Sequence, residues 1–567
     1  MGGGARVNQA CSMTHWTRRA LLFTLSAAAA AATLTAAVTP VAHGSPAGRA
    51  APSLTPPSPA ISPPSFTPSS TSPPSFTSPA MSPPSLMSPG TSPPSLMSSS
   101  PLVWRPCEQP AGAPVPAGGQ ECAVLRVPLD YGDPGGRTVE VAVARLRTDR
   151  PDARRGTLFV IPGGPGSSGV QRLAQKGEAL RAATEGAYDL VSLDPRGVGS
   201  SVRAGCGIPA ADRHLVTLRS WPAPDGTTAA NAERSRRTAE LCARNGGPVL
   251  RSFTTENEVR DLDRLRGALG ERKVSLWGSS YGSYVGAVYA QRHPDRVDRL
   301  VLDSTGDPDP GRVAYGWLAN MAPGAAGRFP DFAAWAADPA REAEGLRLAR
   351  RPGDVQPLFL ALARQLDRHP RASDVPSAPL TGNLLRQALQ NALYSDAAFP
   401  GLARLVKEAQ DPRGRPVLPP ELAGPLPDED ASMTVAAVCN DVRWPGPASG
   451  YARRVAADRA RHPLTAGMPV NITPCAFWKY DEEPRPTRMT DEGPSNILMI
   501  QSLRDPSTPL AGALKMRAVL GERARMVTVG QGGHGMYLGN GNACGDRVVS
   551  DFLVTGARPA RDTHCPN

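Results

Sequence analysis

Lysine is scarce in this chain: of 62 basic side chains only five are lysines, Lys176, Lys273, Lys407, Lys479 and Lys515, leaving 62 − 5 = 57 arginines scattered among 51 acids. No basic stripe results, so the net charge of +11 speaks for solubility rather than a polyanion-binding face, and nucleic acid is not an expected partner. Acids are missing altogether from residues 1–100, which hold four arginines, so the remaining residues carry 11 − 4 = +7. Metal-ligand spacing is absent too, with no C-x-x-C pair and no cluster of Cys with His, and no metal site is expected. Beyond the N-terminus no run is apolar enough to cross a bilayer.

What is present begins with an export signal. Thr17-Arg18-Arg19-Ala20-Leu21-Leu22-Phe23 opens an alanine-rich apolar run to Val38, and Ala42-His43-Gly44 supplies small residues for cleavage, so residues 1–44 read as a signal peptide. The paired arginines resemble a twin-arginine signal, although an ordinary secretory n-region also carries arginines. An uncleaved anchor is the weaker reading, because Thr24, Ser26, Thr33 and Thr35 interrupt the run; no stable membrane insertion is expected after cleavage. Residues 45–101 form a tract in which Ser-Pro-Pro-Ser recurs at positions 62, 72, 82 and 92. Paired prolines fix φ and remove amide donors, so this segment is expected to be an extended linker. A spacer near the cell wall, a removable propeptide and a neutral expansion all remain open for it.

Nine cysteines occur, and Cys11 falls in the signal. The other eight follow one another in four loosely spaced pairs, predicting local bridges Cys107 to Cys122, Cys206 to Cys242, Cys439 to Cys475 and Cys544 to Cys565 in an oxidising, extracellular compartment.

From Trp104 onward, short apolar runs alternate with helical patterns. The runs are 139–146, 157–161, 188–193, 273–277, 299–302, 497–501 and 526–529. This is the pattern of an α/β fold with a mostly parallel, doubly wound sheet. The stretch from Asp303 to Asn496 is too long for a connection and reads mainly as helices. Core segments 102–305 and 491–567 are therefore expected to flank a helical cap at 306–490, whose later part packs back onto the sheet.

The chemistry-bearing motif is Gly278-Ser279-Ser280-Tyr281-Gly282, a G-x-S-x-G that follows an apolar run and opens a small-residue helix. Such a turn holds a serine hydroxyl proud of the sheet edge. Pro162-Gly163-Gly164-Pro165-Gly166 leaves an earlier strand in the position of an oxyanion hole, with the amides of Gly164 and Tyr281 as the donors. A phosphate-cradling loop is disfavoured there, since no G-K-[ST] follows. Of the histidines beyond the signal, His534 sits in a glycine-rich turn after the last run and suits the base; His214, His293, His369, His462 and His564 read as surface residues. Asp505, after the penultimate run, is the expected acid, and Asp303 is its rival. The order Ser280, Asp505, His534 is that of the α/β-hydrolase fold.

These motifs resemble the secreted bacterial tripeptidyl aminopeptidases, α/β-hydrolase serine exopeptidases related to prolyl aminopeptidases, with a TAP-like C-terminal region. The resemblance is carried by ECAVLRVPLDY (121–131), PGGPGSSG (162–169), SLDPRGVGSS (192–201) and TTENEVRDLDRLRGALG (254–270). It continues through GSSYGSYVGAVYA (278–290), LVLDSTGDP (300–308), AVCNDVRWP (437–445) and SLRDPSTPLAGA (502–513). The chain departs from the pattern at Ser304, where a glycine commonly follows the aspartate, and in its proline tract. The resemblance implies release of short peptides, often tripeptides, from free N-termini, without metal or organic cofactor. An esterase or lipase with the same triad, and a non-catalytic wall-associated protein that kept the fold, are the alternative readings. Reading an amino terminus needs a carboxylate facing it. Asp441, in AVCNDVRWP, is the first candidate, with Asp428, Glu429 and Asp430 behind it.

Overall fold

The computed structural model describes residues 101–109, 113–216, 219–446, 448–480 and 483–567. The signal segment and the proline tract up to residue 100 lie outside the described residues. Ten strands make one sheet: β1 (Arg105–Pro106), β2 (Glu121–Pro128), β3 (Thr138–Leu146), β4 (Gly156–Ile161), β5 (Tyr188–Leu193), β6 (Val274–Ser279), β7 (Val297–Asp303), β8 (Ile497–Arg504), β9 (Ala524–Gly532) and β10 (Thr563–Cys565). Their order is β1-β2-β3-β5-β4-β6-β7-β8-β9-β10, antiparallel from β1 to β5 and parallel from β5 to β10. This is the expected α/β-hydrolase architecture.

The parallel strands read as continuous apolar runs because helices cover both faces; β6 (VSLWGS) is buried at every position. β7, β8 and β9 run beyond the apolar stretches that announced them, whereas β5 matches its stretch residue for residue. Three strands gave no such run. β2 alternates, burying Ala123, Leu125 and Val127 while Val124 is 53% exposed, as an outer antiparallel strand with one solvated face does. β1 and β10 are short edge strands that disulfides tie down: Cys107–Cys122 beside the first, Cys544–Cys565 at the second. With Cys206–Cys242 and Cys439–Cys475 they complete four bridges, in the pairing expected from spacing.

Between β7 and β8 the chain forms the helices Tyr315–Ala337, Pro352–Arg368, Gly382–Ala392, Phe399–Gln410, Asp428–Asp441 and Ala448–Arg461. Phe329, Phe332, Phe359, Leu385, Leu389 and Phe399 gather in a hydrophobic core separate from the sheet. Burying such side chains contributes about 1.5–3 kcal/mol apiece. Met433, Ala436, Cys439 and Cys475 instead join the core formed by the sheet and its helices, so the later part of the insertion does pack back. Among the described residues no helix is long and apolar enough to cross a membrane.

Candidate active site

Ser280 sits between β6 and the helix Tyr281–Arg292 with φ 59° and ψ −125°, in the left-handed half of backbone space that a non-glycine residue rarely occupies. Packing holds it there. The Ser280 amide donates to the Asp303 carbonyl at 2.8 Å, and the Ser283 hydroxyl donates to the Ser280 carbonyl at 2.6 Å. The flanking glycines are required by contact: a Cβ on Gly278 would lie 2.1 Å from the Gly282 carbonyl oxygen, and one on Gly282 2.4 Å from that of Ile161.

His534 lies just beyond β9, and its Nδ1 is 2.9 Å from Asp505 Oδ2 and 3.0 Å from Oδ1. Asp505 follows β8 and is 1% exposed. Its Oδ1 accepts the amides of Ser507 and Thr508, both at 2.8 Å, and its Oδ2 accepts the Thr508 hydroxyl at 3.1 Å. Thr508, which the sequence reading passed over, thus fixes the carboxylate while its Oγ1 lies 3.3 Å from His534 Nδ1. Burial pulls the proton affinity of His534 down, but the charge and hydrogen bond of Asp505, helped by Asp303, outweigh it and leave the imidazole above its ordinary value.

Asp303 takes a different part. Its Oδ1 accepts the Met536 amide at 2.7 Å and the Ser304 hydroxyl at 3.0 Å, and its Oδ2 accepts the Tyr537 amide at 3.1 Å. No hydrogen bond joins it to the imidazole; it holds the loop that carries His534. Burial raises its pKa while these donors pull it down. Ser304 stands at φ 56°, which accounts for the glycine common at this place in the resembled family. Here its Oγ accepts the Gly535 amide at 2.8 Å, a bond no glycine could make.

Ser280, His534 and Gly164 line a cavity of about 540 Å³, together with Arg172, Lys176, Arg219, Trp277, Met321, Tyr394 and Asn540. A second, apolar hollow of about 40 Å³ also opens on Ser280, walled by Gly164, Tyr281, Trp317, Leu318, Met321 and Val438. Tyr394 comes from the insertion. Its carbonyl accepts the His534 amide at 2.9 Å, and its ring stands edge-on to the imidazole at 5.0 Å. A tyrosine just past the helix Gly382–Ala392 carries no sequence signal of that contact.

Asp441 lines neither space. Its Oδ1 accepts the Thr255 amide at 2.9 Å and its Oδ2 the Thr255 hydroxyl, while the Tyr281 hydroxyl, 2.7 Å from Thr255 Oγ1, donates to that same oxygen. The expectation that Asp441 faces a substrate amine gives way to a structural part: it braces Tyr281 through Thr255. Burial pushes its carboxyl up to about 6, against the pull of those hydrogen bonds. Asp428 accepts the amides of Gly207 and Ile208 at 2.9 and 2.6 Å, Glu429 is exposed, and Asp430 pairs with Arg203 at 2.5 Å. Of the four, only Asp430 borders an adjoining hollow of about 460 Å³, which shares Ser167 and Arg172 with the Ser280 cavity.

The model of the family described as TAP-like protein matches residues 462–565, from the end of the insertion through the C-terminal strands. The tripeptidyl aminopeptidase of Streptomyces coelicolor is 32% identical over 481 residues, 82% of this chain and 86% of its own. Serine protease Hip1 of Mycobacterium tuberculosis is 27% identical over 492 residues, 82% and 91% of the two chains. Among solved structures, a proline iminopeptidase of Mycobacterium smegmatis is 16% identical and spans 76% of this chain and 97% of its own. Its TM-score of 0.32 adds nothing to what the sheet order establishes. A sequence match of that depth along most of both chains makes the protein a member of the tripeptidyl aminopeptidase family, a serine exopeptidase.

Proposed function

We propose that the protein is an extracellular peptidase that releases short peptides, tripeptides foremost, from free N-termini through an acyl-enzyme on Ser280. Ser280 Oγ attacks the scissile carbonyl and His534 Nε2 takes its proton. Asp505 holds the Nδ1 proton, so the ring presents its basic nitrogen to the cavity and its imidazolium is stabilised once formed. The amides of Gly164 and Tyr281 receive the negative charge on the carbonyl oxygen; one such donor is worth about 10²–10³ in kcat. His534 then gives its proton to the leaving nitrogen, and water attacks the ester by the same steps in reverse. The insertion at 306–490 acts as a cap over Ser280, so that a chain enters by its terminus.

The observation that carries this reading is the pairing of His534 Nδ1 with Asp505 at 2.9 Å, on a histidine that shares a cavity wall with Ser280. Four disulfides fit the extracellular compartment. The release of tripeptides is supported by the name of the Streptomyces relative. Comparing a peptide amide with its N-acetylated twin tests the reading. Acetylation should lower kcat/KM at least about tenfold, or about 1.4 kcal/mol of lost transition-state binding; equal rates would move the assignment to an endopeptidase or esterase.

A further inference from the structure

The wall of the Ser280 cavity is rich in cations and poor in acids. Arg172, Lys176 and Arg219 line it, and its one carboxylate, Asp303, has both oxygens engaged. Among the described residues none of the three cations pairs with a carboxylate. Lys176 donates to the Leu538 carbonyl at 2.6 Å, and Arg219 donates to Asn391 Oδ1 and, at 3.1 Å, to the Tyr394 hydroxyl, all neutral acceptors. Among the described residues Arg172 makes no side-chain hydrogen bond; it stands on the helix Gly169–Ala183, where burial disfavours its charge and only Asp303 pulls the other way. Arg172 is only partly buried and lies on the cavity wall, so its donors are open to a planar anion, and the group of that kind that a peptide substrate carries is a carboxylate.

The side of the scissile bond follows from the proton. His534 must reach the leaving nitrogen, and it lines the cationic cavity but not the apolar hollow that Gly164 and Tyr281 share. A peptide residue spans about 3.3–3.6 Å, so a group one or two residues beyond the cut lies within the cavity's reach. We propose that Arg172, flanked by Lys176 and Arg219, binds a carboxylate on the leaving fragment of the substrate. The same chemistry serves the free C-terminus of a short peptide or an acidic side chain next to the cut. This rests on the exopeptidase reading of the site and adds a preference that reading does not contain.

The test compares three substrates with wild-type protein: a tetrapeptide acid, its C-terminal amide, and the same amide with Asp placed just after the scissile bond. The acid should be cut at least about tenfold faster than the plain amide in kcat/KM, as expected of a charge-assisted bidentate pair. A gain by the Asp amide alone identifies the side chain as the source and supports the same site. The advantage should fall toward one in Arg172→Met and survive in part in Arg172→Lys; an advantage undiminished in Arg172→Met removes the site from Arg172. Equal wild-type rates on all three refute the carboxylate site while leaving the exopeptidase reading intact, and no cleavage of any refutes both. Because the wild-type rates decide first, a variant that fails to fold does not shield the proposal; Lys176→Met, on the same wall, then lowers the ratio in its place.

Discussion

Replacing Asp505 and Asp303 by Asn should separate two buried acids that lie close to one histidine. In Asp505→Asn the amide oxygen can keep both backbone donors, Ser507 and Thr508 at 2.8 Å, because both bind Oδ1. The amide NH₂ then replaces Oδ2, where His534 Nδ1 is 2.9 Å away, and donates to the ring. That leaves the ring proton on Nε2, and Ser280 loses its base. The expected loss in kcat/KM is about 10⁴-fold, or about 5.5 kcal/mol, with little change in melting temperature. In Asp303→Asn the two oxygens face the Met536 and Tyr537 amides, one each, so the new NH₂ must oppose a donor. An unpaired buried donor costs about 1–3 kcal/mol, which in a chain of this size lowers the melting temperature by roughly 1–3 °C. The imidazole keeps its partner, so kcat/KM should stay within about tenfold of wild type. Initial rates on a peptide amide and thermal scans of both variants decide it. An active Asp505→Asn beside an inactive Asp303→Asn would transfer the acid to Asp303 and overturn the assignment.

Glu258 offers a test by pH. It lies behind Tyr281, 6% exposed, and burial first, then the charges of Asp261 and Asp441, push its carboxyl to about 8. A raised acid favours folding only while protonated, so its contribution is complete below pH 4.5 and is lost as pH rises through about 8. Glu258→Gln should therefore match wild type near pH 4.5 and exceed it at pH 9 by up to about 5 kcal/mol; a constant offset at both pH values would show that the carboxyl is not protonated in the fold. At the elbow, Gly282→Ala should unfold or fail to secrete, because its Cβ meets the Ile161 carbonyl oxygen at 2.4 Å, whereas Gly286→Ala meets only the Leu300 side chain at 3.1 Å and should lose under about 1.5 kcal/mol. Equal melting temperatures for the two would remove the steric account of the motif.

The parallel strands were legible because they are buried on both faces, and the elbow because Gly278 and Gly282 are dictated by contacts a few residues away. Ser280, Asp505 and His534 could be proposed together since each follows a strand at the same sheet edge. β2 was hidden by its alternation, and β10 by having three residues. What the insertion contributes was less legible: Tyr394 meets His534, and Asp441 turns from the cavity to Thr255, through contacts spanning more than a hundred residues. Asp303 shows the middle case, a buried acid at the right strand end whose part depends on which loop atoms it meets. Arg172 gave no signal, because among 57 arginines only the cavity distinguishes it.

In this mechanism Ser280 drives removal of short peptides from free amino termini. Mass spectrometry of the products from an unmodified peptide mixture, incubated with wild-type protein and with Ser280→Ala, tests it most directly. Wild type should release short N-terminal fragments, tripeptides foremost, and leave peptides with a blocked amino terminus intact, while the variant should release nothing above background. Cuts spread through chain interiors, or fragments undiminished in Ser280→Ala, would contradict it.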